Sequence, residues 1–437
     1  MPSPPLSMAG SMVATRSPKR RGRALRYIGG AMPEVLQVDC CIAGGGPAGM
    51  MLGYLLGRAG VHTVVLEKHA DFLRDFRGDT VHPSTLTVMK ELGLLEEFLR
   101  LPHSQLHAMA AEIGETTVKV VDFEHVPVAC KFIALMPQWD FLSFLADKGR
   151  RFPSLRVMMC AEVTGLALDA GRVVGVSATT AAGPLEVRAR LVVGCDGRRS
   201  TVREASGLAV KNLGSPIDVL WFRMSKKPDD PKEILGRLNP DSMVVTIDRG
   251  DYWQCAYVIG KGGIDRIHAQ GLEAFKKAVA AGARFLGDRV DELRSFDDVK
   301  LLSVTVDRLT TWSRPGLLCI GDAAHAMSPV GGVGINLAIQ DAVATANLLA
   351  AKLKDGSLTD ADLHRVQHRR LFPVKVIQAF QMAIHRRVLT PVVSGRKRSL
   401  SVPYLLKLLD RHPSLRRWPA QFLGVGVRPE HVRSPEA

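Results

Sequence analysis

The sequence predicts an α/β protein in which a Rossmann-like nucleotide-binding domain is interrupted by an inserted β-sheet domain and followed by a helical C-terminus. Three observations predict it. Residues 36–43 form an apolar run ending in the turn Gly44-Gly45-Gly46-Pro47-Ala48-Gly49, which opens a helical pattern over 48–59 and then a second apolar run over 61–66; this is a β-α-β unit in about 30 residues. The middle of the chain carries short alternating runs, as half-buried strands do. After Gly334 the pattern is helical almost to the end.

The elements follow in order. A polar stretch over 67–83 leads to a helix around 84–92, and another helix follows Pro137. The runs 156–160, 172–178 and 186–193, separated by Gly and Pro, read as a meander joined to the nucleotide-binding sheet. Runs 219–224 and 252–259 belong to a second sheet, 271–286 is amphipathic and helical, and 299–308 is a strand candidate. A short apolar run, 317–320, returns the chain to the first domain. Helices over 335–353 and 360–371 precede a basic, apolar stretch through Leu408, punctuated by Pro403 and Pro413. The expected organisation is a disordered leader over 1–34 and a nucleotide-binding domain built from 35–100, 137–210 and 308–355. A substrate domain comes from 101–136 and 211–307, and a helical region covers 356–437.

A chain of 437 residues suits one large domain and one smaller one, and 46% hydrophobic content supports a sizeable core. No window approaches the roughly 18 uninterrupted apolar residues of a membrane-spanning helix. The formal charge of +15 admits nucleic acid, a membrane surface or an anionic ligand. Part of it is local: Arg16, Lys19, Arg20, Arg21, Arg23 and Arg26 all precede the first acidic residue, Glu34. That leader has the composition of a disordered extension, an organelle transit peptide, or translation begun upstream of Met32. The remaining charge is spread out, and no nucleic-acid partner is expected. Cys40, Cys41, Cys130, Cys160, Cys195, Cys255 and Cys319 form no Cys-x-x-Cys pair, so they read as small hydrophobes in a reducing, cytoplasmic setting.

The glycine turn carries chemistry because of where it stands. Gly44 permits the tight turn, Gly46 lets backbone approach a pyrophosphate, and Gly49 lets helix and strand pack closely. The helix N-terminus, with Pro47 and Ala48 in its first turn, adds partial positive charge. Glu67, with Lys68 beside it, ends the second run where a carboxylate would accept hydrogen bonds from a ribose. FAD and NAD present the same pyrophosphate and ribose to this unit, so the turn alone leaves both open. Three later segments favour one long cofactor: Arg77-Gly78-Asp79-Thr80, then Gly194-Cys195-Asp196-Gly197-Arg198-Arg199-Ser200, then Gly321-Asp322-Ala323-Ala324-His325.

This ordered set, completed by Pro329-Val330-Gly331-Gly332-Val333-Gly334-Ile335-Asn336, resembles the class A flavoprotein monooxygenases from about residue 38 to residue 353. These are the relatives of para-hydroxybenzoate hydroxylase and of the ubiquinone-biosynthesis hydroxylases. The resemblance implies a para-hydroxybenzoate hydroxylase-like fold, with an inserted β-sheet substrate domain in a Rossmann-like FAD-binding domain. It implies that Asp322 binds the ribityl chain of FAD, Arg77 reaches the pyrophosphate side, Gln138 sits near the adenosine half, and Asp196 serves a motif associated with both FAD and NAD(P)H. Carboxylates accept from vicinal hydroxyls and guanidinium groups pair with phosphate, so each role has a physical basis. Gly332, Val333, Gly334 and Asn336 would meet the pyrimidine edge of the isoalloxazine ring and stabilise the charge of reduced flavin, while Pro329 would line the substrate side.

The activity so implied is NAD(P)H-dependent oxygenation of an aromatic, quinol or polyketide-like substrate by dioxygen through a flavin hydroperoxide, with NAD(P)H as a transient co-substrate. A flavin oxidase or dehydrogenase on the same fold and a non-catalytic flavin-binding module are the alternatives. No residue stands out as a catalytic acid or base; the flavin-proximal candidates are Pro329, Gly331 and Gly332. Alternation places Trp221 with Arg223, and Tyr252 with Gln254, as candidates for the substrate pocket, although Trp221 and Trp253 equally suit core packing. His325 reads as a structural hydrogen-bonding residue, His364 and His368 as a solvated helix face, and no metal is expected. The basic clusters Arg369-Arg370, Arg386-Arg387 and Arg396-Lys397-Arg398 read as solvated helix, with anionic lipid the lesser alternative. A monomer or homodimer is expected.

Overall fold

The strand Glu34–Ala43 buries its last four residues completely and pairs in parallel with Thr63–Leu66 on one side and Gly183–Gly194 on the other. It is the centre of an eight-stranded sheet in the computed structural model, which describes residues 34–73, 80–231, 234–240, 242–395 and 402–437. The leader, Arg77 and the Arg396-Lys397-Arg398 cluster lie outside the described residues. Leu155–Met158 extends the sheet beyond Thr63–Leu66 and Leu317–Cys319 extends it beyond Gly183–Gly194, both in parallel. These apolar runs suit strands covered on both faces. Helix Pro47–Arg58 packs against both Gln138–Gly149 and Gly334–Asp355.

The expected meander is displaced by one strand. Leu155–Met158 belongs to the parallel sheet, and the meander is Glu162–Asp169, Arg172–Thr180 and the first half of Gly183–Gly194. That last strand is long enough for its residues 183–188 to pair antiparallel with the meander while it also runs parallel to Glu34–Ala43.

The second sheet has seven strands in the order Lys300–Leu302, Ile217–Ser225, Tyr252–Gly260, Met243–Asp248, Ile234–Leu238, Ala108–Ile113 and Thr116–Asp122. One face packs on helix Leu272–Gly282 through Leu220, Phe222, Met224, Val244 and Phe275. The single strand expected over 299–308 is two: Lys300–Leu302 joins this sheet, whereas Asp307–Leu309 pairs with Val210–Asn212. Between them the Val304 amide donates to the buried Asp218 carboxylate at 2.9 Å and so leaves the ladder.

Segment Val330–Asp355 is long and apolar enough to cross a membrane, yet 78% of its apolar window is buried inside the protein, which makes it a core helix. Asp360–Ile384 continues well past the expected end at 371, across Pro373. Proline removes one helix hydrogen bond, but Val374, Ile377, Gln378 and Gln381 bury the second half and hold it. Arg370, expected on a solvated face, is instead fully buried. Its Nε lies 2.9 Å from Asp341 Oδ1, and Asp341 Oδ2 meets His325 Nε2 at 2.6 Å and accepts from the Gly321 amide at 3.1 Å. Glu430, from the far C-terminus, closes the cluster at 3.5 Å from Arg370 Nη1. Six of the cysteines are buried and unpaired; Cys160 is exposed.

Candidate active site

Strand register brings the motifs together. Ala43 stands beside both Leu66 and Gly194, and Gly194 beside Cys319. The parallel strands therefore end level, and Gly44, Glu67, Cys195, Asp196, Gly321 and Asp322 leave the sheet at one edge. Ligands of doubly wound sheets bind in this crevice outside the carboxyl ends of the strands.

The three fingerprint glycines have different reasons to be glycine. Gly44 has φ +101°, and a Cβ there would lie 2.6 Å from the Cys195 carbonyl oxygen. A Cβ at Gly49 would lie 1.9 Å from the Gly44 carbonyl oxygen. Both are demanded by the chain's own packing. Gly46 is not: its φ is −74°, and a Cβ would meet nothing nearer than Cys195 O at 4.0 Å. Neither a capping side chain nor an acidic residue covers the amides that start helix Pro47–Arg58. At Gly334, which opens the equally uncapped helix Gly334–Asp355, a Cβ would likewise meet nothing within 4 Å. The two positions that stay open are those where backbone amides of two helix N-termini could face an anionic or hydrogen-bonding ligand. This cradle fits an extended dinucleotide such as FAD.

Around the cradle, Glu67 accepts the Gly45 amide at 2.9 Å and the His69 amide at 3.0 Å, which fixes its carboxylate at the turn; Lys68 is exposed beside it. Gly321 packs on the first helix, where a Cβ would come within 3.1 Å of Ala48 Cβ, so Asp322 is delivered beside the glycine turn. The Asp322 carboxylate is about one-third exposed and pairs with Arg198 Nε at 3.0 Å. Gln138 stands at the start of helix Gln138–Gly149, with no side-chain hydrogen bond to a described residue. Asp196 departs from expectation. Its carboxylate accepts from Ser200 Oγ and from the Val202 amide at 3.0 Å, capping helix Thr201–Ser206, and burial raises its pKa above the usual carboxylate range. The motif shapes the crevice through the Cys195 carbonyl rather than through that carboxylate.

The far turn is built on two left-handed glycines, Gly331 at φ +81° and Gly332 at φ +62°. Thr80 Oγ1 donates to the Gly332 carbonyl at 2.8 Å. Asn336, expected to hold the cofactor, spends its amide on the protein: Oδ1 accepts from the His82 amide at 2.9 Å and Thr85 Oγ1 at 2.7 Å, and Nδ2 donates to Thr80 O at 3.2 Å. It positions the turn from beneath. Val333 is buried and offers only backbone, while Pro329, Gly331, Gly332 and Gly334 are half-buried. Gln381 Nε2 donates to the Ser328 and Val330 carbonyls at 2.9 Å each, its Oε1 accepts the Ser328 amide at 3.1 Å, and His385 Nε2 meets Ser328 Oγ at 2.7 Å. Gln381 and His385 escape the sequence reading; a shared helix face is their sole signal.

Trp221, Arg223, Tyr252 and Gln254 share the sheet face opposite helix Leu272–Gly282. Arg223 lies over the Tyr252 ring at 3.7 Å, and Gln254 Oε1 accepts from Arg249 Nε at 2.9 Å. Trp253 points the other way, buried with its Nε1 donating to Asp230 at 2.6 Å. The same face meets the far turn: Ile217, Val258 and Met243 pack with Val330, and Trp221, Val245 and Ile247 cluster with Phe123 and Leu423.

His82 is fully buried between these parts. Its Nδ1 lies 2.8 Å from the Leu423 carbonyl, which can only accept, so Nδ1 carries a proton. Burial pushes its pKa down to about 4. Above the unfolded value of about 6.5, stability is unaffected. Between 6.5 and about 4 the unfolded chain takes up a proton that the buried ring refuses, which costs roughly 3 kcal/mol by pH 4. In urea unfolding, wild type should lose about that much more than His82→Asn between pH 7 and pH 4; parallel profiles would show that another group titrates.

Crevice, cradle and facing sheet define a dinucleotide-binding oxidoreductase of the flavoprotein kind. The sequence matches the FAD binding domain family over residues 37–379. It is 31% identical over 380 residues to the 6-methylpretetramide 4-monooxygenase of Streptomyces rimosus, covering 86% of this chain and 90% of that protein. It is 29% identical over 329 residues to the rifampicin monooxygenase of Streptomyces venezuelae, covering 72% of this chain and 64% of that one. In fold it resembles the OxyS anhydrotetracycline hydroxylase from Streptomyces rimosus, with a TM-score of 0.70 at 24% identity over 90% of this chain and 77% of that one. The chain belongs to the class A FAD-dependent monooxygenases. It is an FAD-dependent monooxygenase, and NAD(P)H is the donor typical of the family.

Proposed function

We propose that this monooxygenase hydroxylates a polycyclic aromatic, polyketide-type substrate held between the 329–334 turn and the seven-stranded sheet. The observation that carries the reading is the apolar part of that sheet face, where Trp221, Val245 and Ile247 cluster with Phe123 and Leu423 and where Ile217 and Val258 pack with Val330 of the turn. It suits a broad, flat ring system, and the relatives are named for 6-methylpretetramide, rifampicin and anhydrotetracycline.

Bound FAD supplies the two-electron reduction and the activation of dioxygen. The chain supplies the rest. Gly46 and the amides of helix Pro47–Arg58 would receive the pyrophosphate, Glu67 the ribose and Asp322 the ribityl hydroxyls, with Arg198 holding the Asp322 carboxylate in place. Amides of the 331–334 turn would receive the flavin ring, the turn being set by Thr80 and Asn336 on one side and by Gln381 and His385 on the other. The apolar wall keeps water from the reacting centre. Unpaired cysteines suit a reducing, cytoplasmic setting.

Two measurements test this. Asp322→Ala removes a charged acceptor and should weaken FAD binding by about 10–100-fold in a fluorescence titration; unchanged affinity would remove Asp322 from the site. With isotope-labelled dioxygen, a fused-ring aromatic that stimulates NAD(P)H oxidation should gain one labelled oxygen, and a product without label would return the protein to the oxidases.

A further inference from the structure

The family match ends at residue 379, yet the chain beyond it comes back to the site. Gln421–Val425 forms a π-helical turn, a local irregularity that recurs at functional sites. Within it, Leu423 Cδ2 would stand 3.1 Å from a Cβ placed on Gly331. Leu423 is thus in contact with the backbone of the turn proposed to face the flavin.

This contact is held to hydrogen-bond precision. The Leu423 carbonyl accepts from His82 Nδ1 at 2.8 Å, the His82 amide donates to Asn336 Oδ1 at 2.9 Å, and Asn336 Nδ2 donates to Gly332 O at 3.4 Å. Leu423 and the glycine turn are therefore one hydrogen-bonded unit. On the other side, Gly424 lies so close to Phe123 that a Cβ would fall 2.6 Å from its ring, and Phe422 packs edge-on against Phe380 with centroids 5.0 Å apart. The tail beyond is tied down as well, with Arg369 Nε on Glu430 at 2.8 Å and the Ala437 amide on Arg58 O at 2.9 Å. Ala420, Leu423 and Val425 share one apolar cluster with Trp221, Val245 and Ile247. In that cluster the Trp221 Nε1–H is buried with no partner among the described residues. An indole donor in a dry, apolar setting is costly unless an oxygen meets it, and a ligand oxygen placed there would do so.

We propose that Leu423, presented by the Gln421–Val425 turn, is the wall that sets how large a ring system the site accepts and how far it slides over the 329–334 turn. It is a specificity-determining residue from beyond the segment that the family model matches, and the proposal rests on the reading of this site as a ring hydroxylase. The ligand class is a fused, uncharged aromatic edge carrying a carbonyl or hydroxyl oxygen. A branched aliphatic wall fits such an edge by shape and expels water, whereas it gives a small charged ring nothing to hold.

The test uses the full chain loaded with FAD, with anhydrotetracycline as a fused-ring probe and para-nitrophenol as a single-ring probe. Binding is read without NAD(P)H, from the change in the flavin absorption spectrum. Leu423→Phe overfills the wall and should raise the fused-ring Kd by about tenfold or more while leaving the single-ring Kd within about threefold. Leu423→Ala should leave both probes bound but lower product formed per NAD(P)H consumed by about twofold or more, through lost placement. Each variant must retain FAD stoichiometrically; Leu423→Met, of conserved volume, should behave as wild type and serves where Leu423→Ala folds poorly. Equal fused-ring binding by wild type and Leu423→Phe overturns the wall. Wild type that binds neither probe overturns the ligand class. Normal binding with no labelled oxygen in the product overturns the hydroxylase reading and leaves the wall standing.

Discussion

Gly46→Ala should leave the protein folded and cost it its cofactor, whereas Gly49→Ala should cost it the fold. The two glycines stand three residues apart in one motif, and the surrounding atoms separate them. A methyl group on Gly49 would lie 1.9 Å from the Gly44 carbonyl oxygen and 3.2 Å from Ile42 Cγ2. The first helix would have to lift off the central strand. The opposing atom is backbone, so the loss should exceed the 1–3 kcal/mol of ordinary overpacking, on the order of 3 kcal/mol or more. At Gly46 the same methyl meets nothing nearer than 4.0 Å and the backbone is unstrained. It protrudes only where the pyrophosphate would approach. Loss of one or two charge-assisted hydrogen bonds there should weaken FAD binding by about 10–100-fold. Calorimetry of the apoproteins and FAD titration of each variant read the two effects separately. A Gly46→Ala protein with native FAD affinity would place the pyrophosphate elsewhere; a Gly49→Ala protein with native thermal stability would contradict the close packing.

The second large effect is expected at Arg370. Burial alone would raise the Asp341 pKa, but His325 and Arg370 outweigh it and hold the carboxylate below its ordinary range. Replacing Arg370 by Met leaves Asp341 buried without its guanidinium, while Glu430 keeps Arg369. Breaking a buried pair from one side costs about 3–5 kcal/mol. The sign with pH follows: native Asp341 contributes stability that is present above the unfolded carboxylate value of about 4 and is lost as pH falls through its depressed native value. The gap between wild type and Arg370→Met should therefore be widest near neutrality and narrow below about pH 4, where the Asp341 carboxylate can be neutral. Because Asp341 also accepts the Gly321 amide, the variant should bind FAD more weakly through a displaced Asp322. Denaturant midpoints across pH check the first point, and a gap below 1 kcal/mol at every pH would remove the cluster from any role in stability.

What could be read along the chain was local. Gly44 and Gly49 announce themselves because a left-handed backbone or a helix–strand contact within a few residues admits no side chain. The carboxylates divided. Asp322 leaves the sheet beside the glycine turn and pairs with Arg198, whereas Asp196 caps the helix that follows it, and the motif looks the same whichever way the side chain points. Asn336 belongs to the site, but as the support of the turn rather than as a ligand. Two adjacent arginines likewise gave one reading and two fates, since Arg370 meets Asp341 and Glu430 in the core while Arg369 stays at the surface beside Glu430.

By itself the sequence determined the parallel sheet and the glycine turn, because strand period, glycine spacing and helix starts are set by residues close together in the chain, while the class of cofactor followed from the family that its ordered motifs resemble. Tertiary structure decided which side chains stand around the crevice and what the C-terminal turn packs against. His82 and Leu423 are 341 positions apart and Thr80 and Gly332 are 252 apart. No periodicity reports contacts of that separation, since they exist only once the sheet has brought the ends of its strands level and the C-terminal turn has packed back against them.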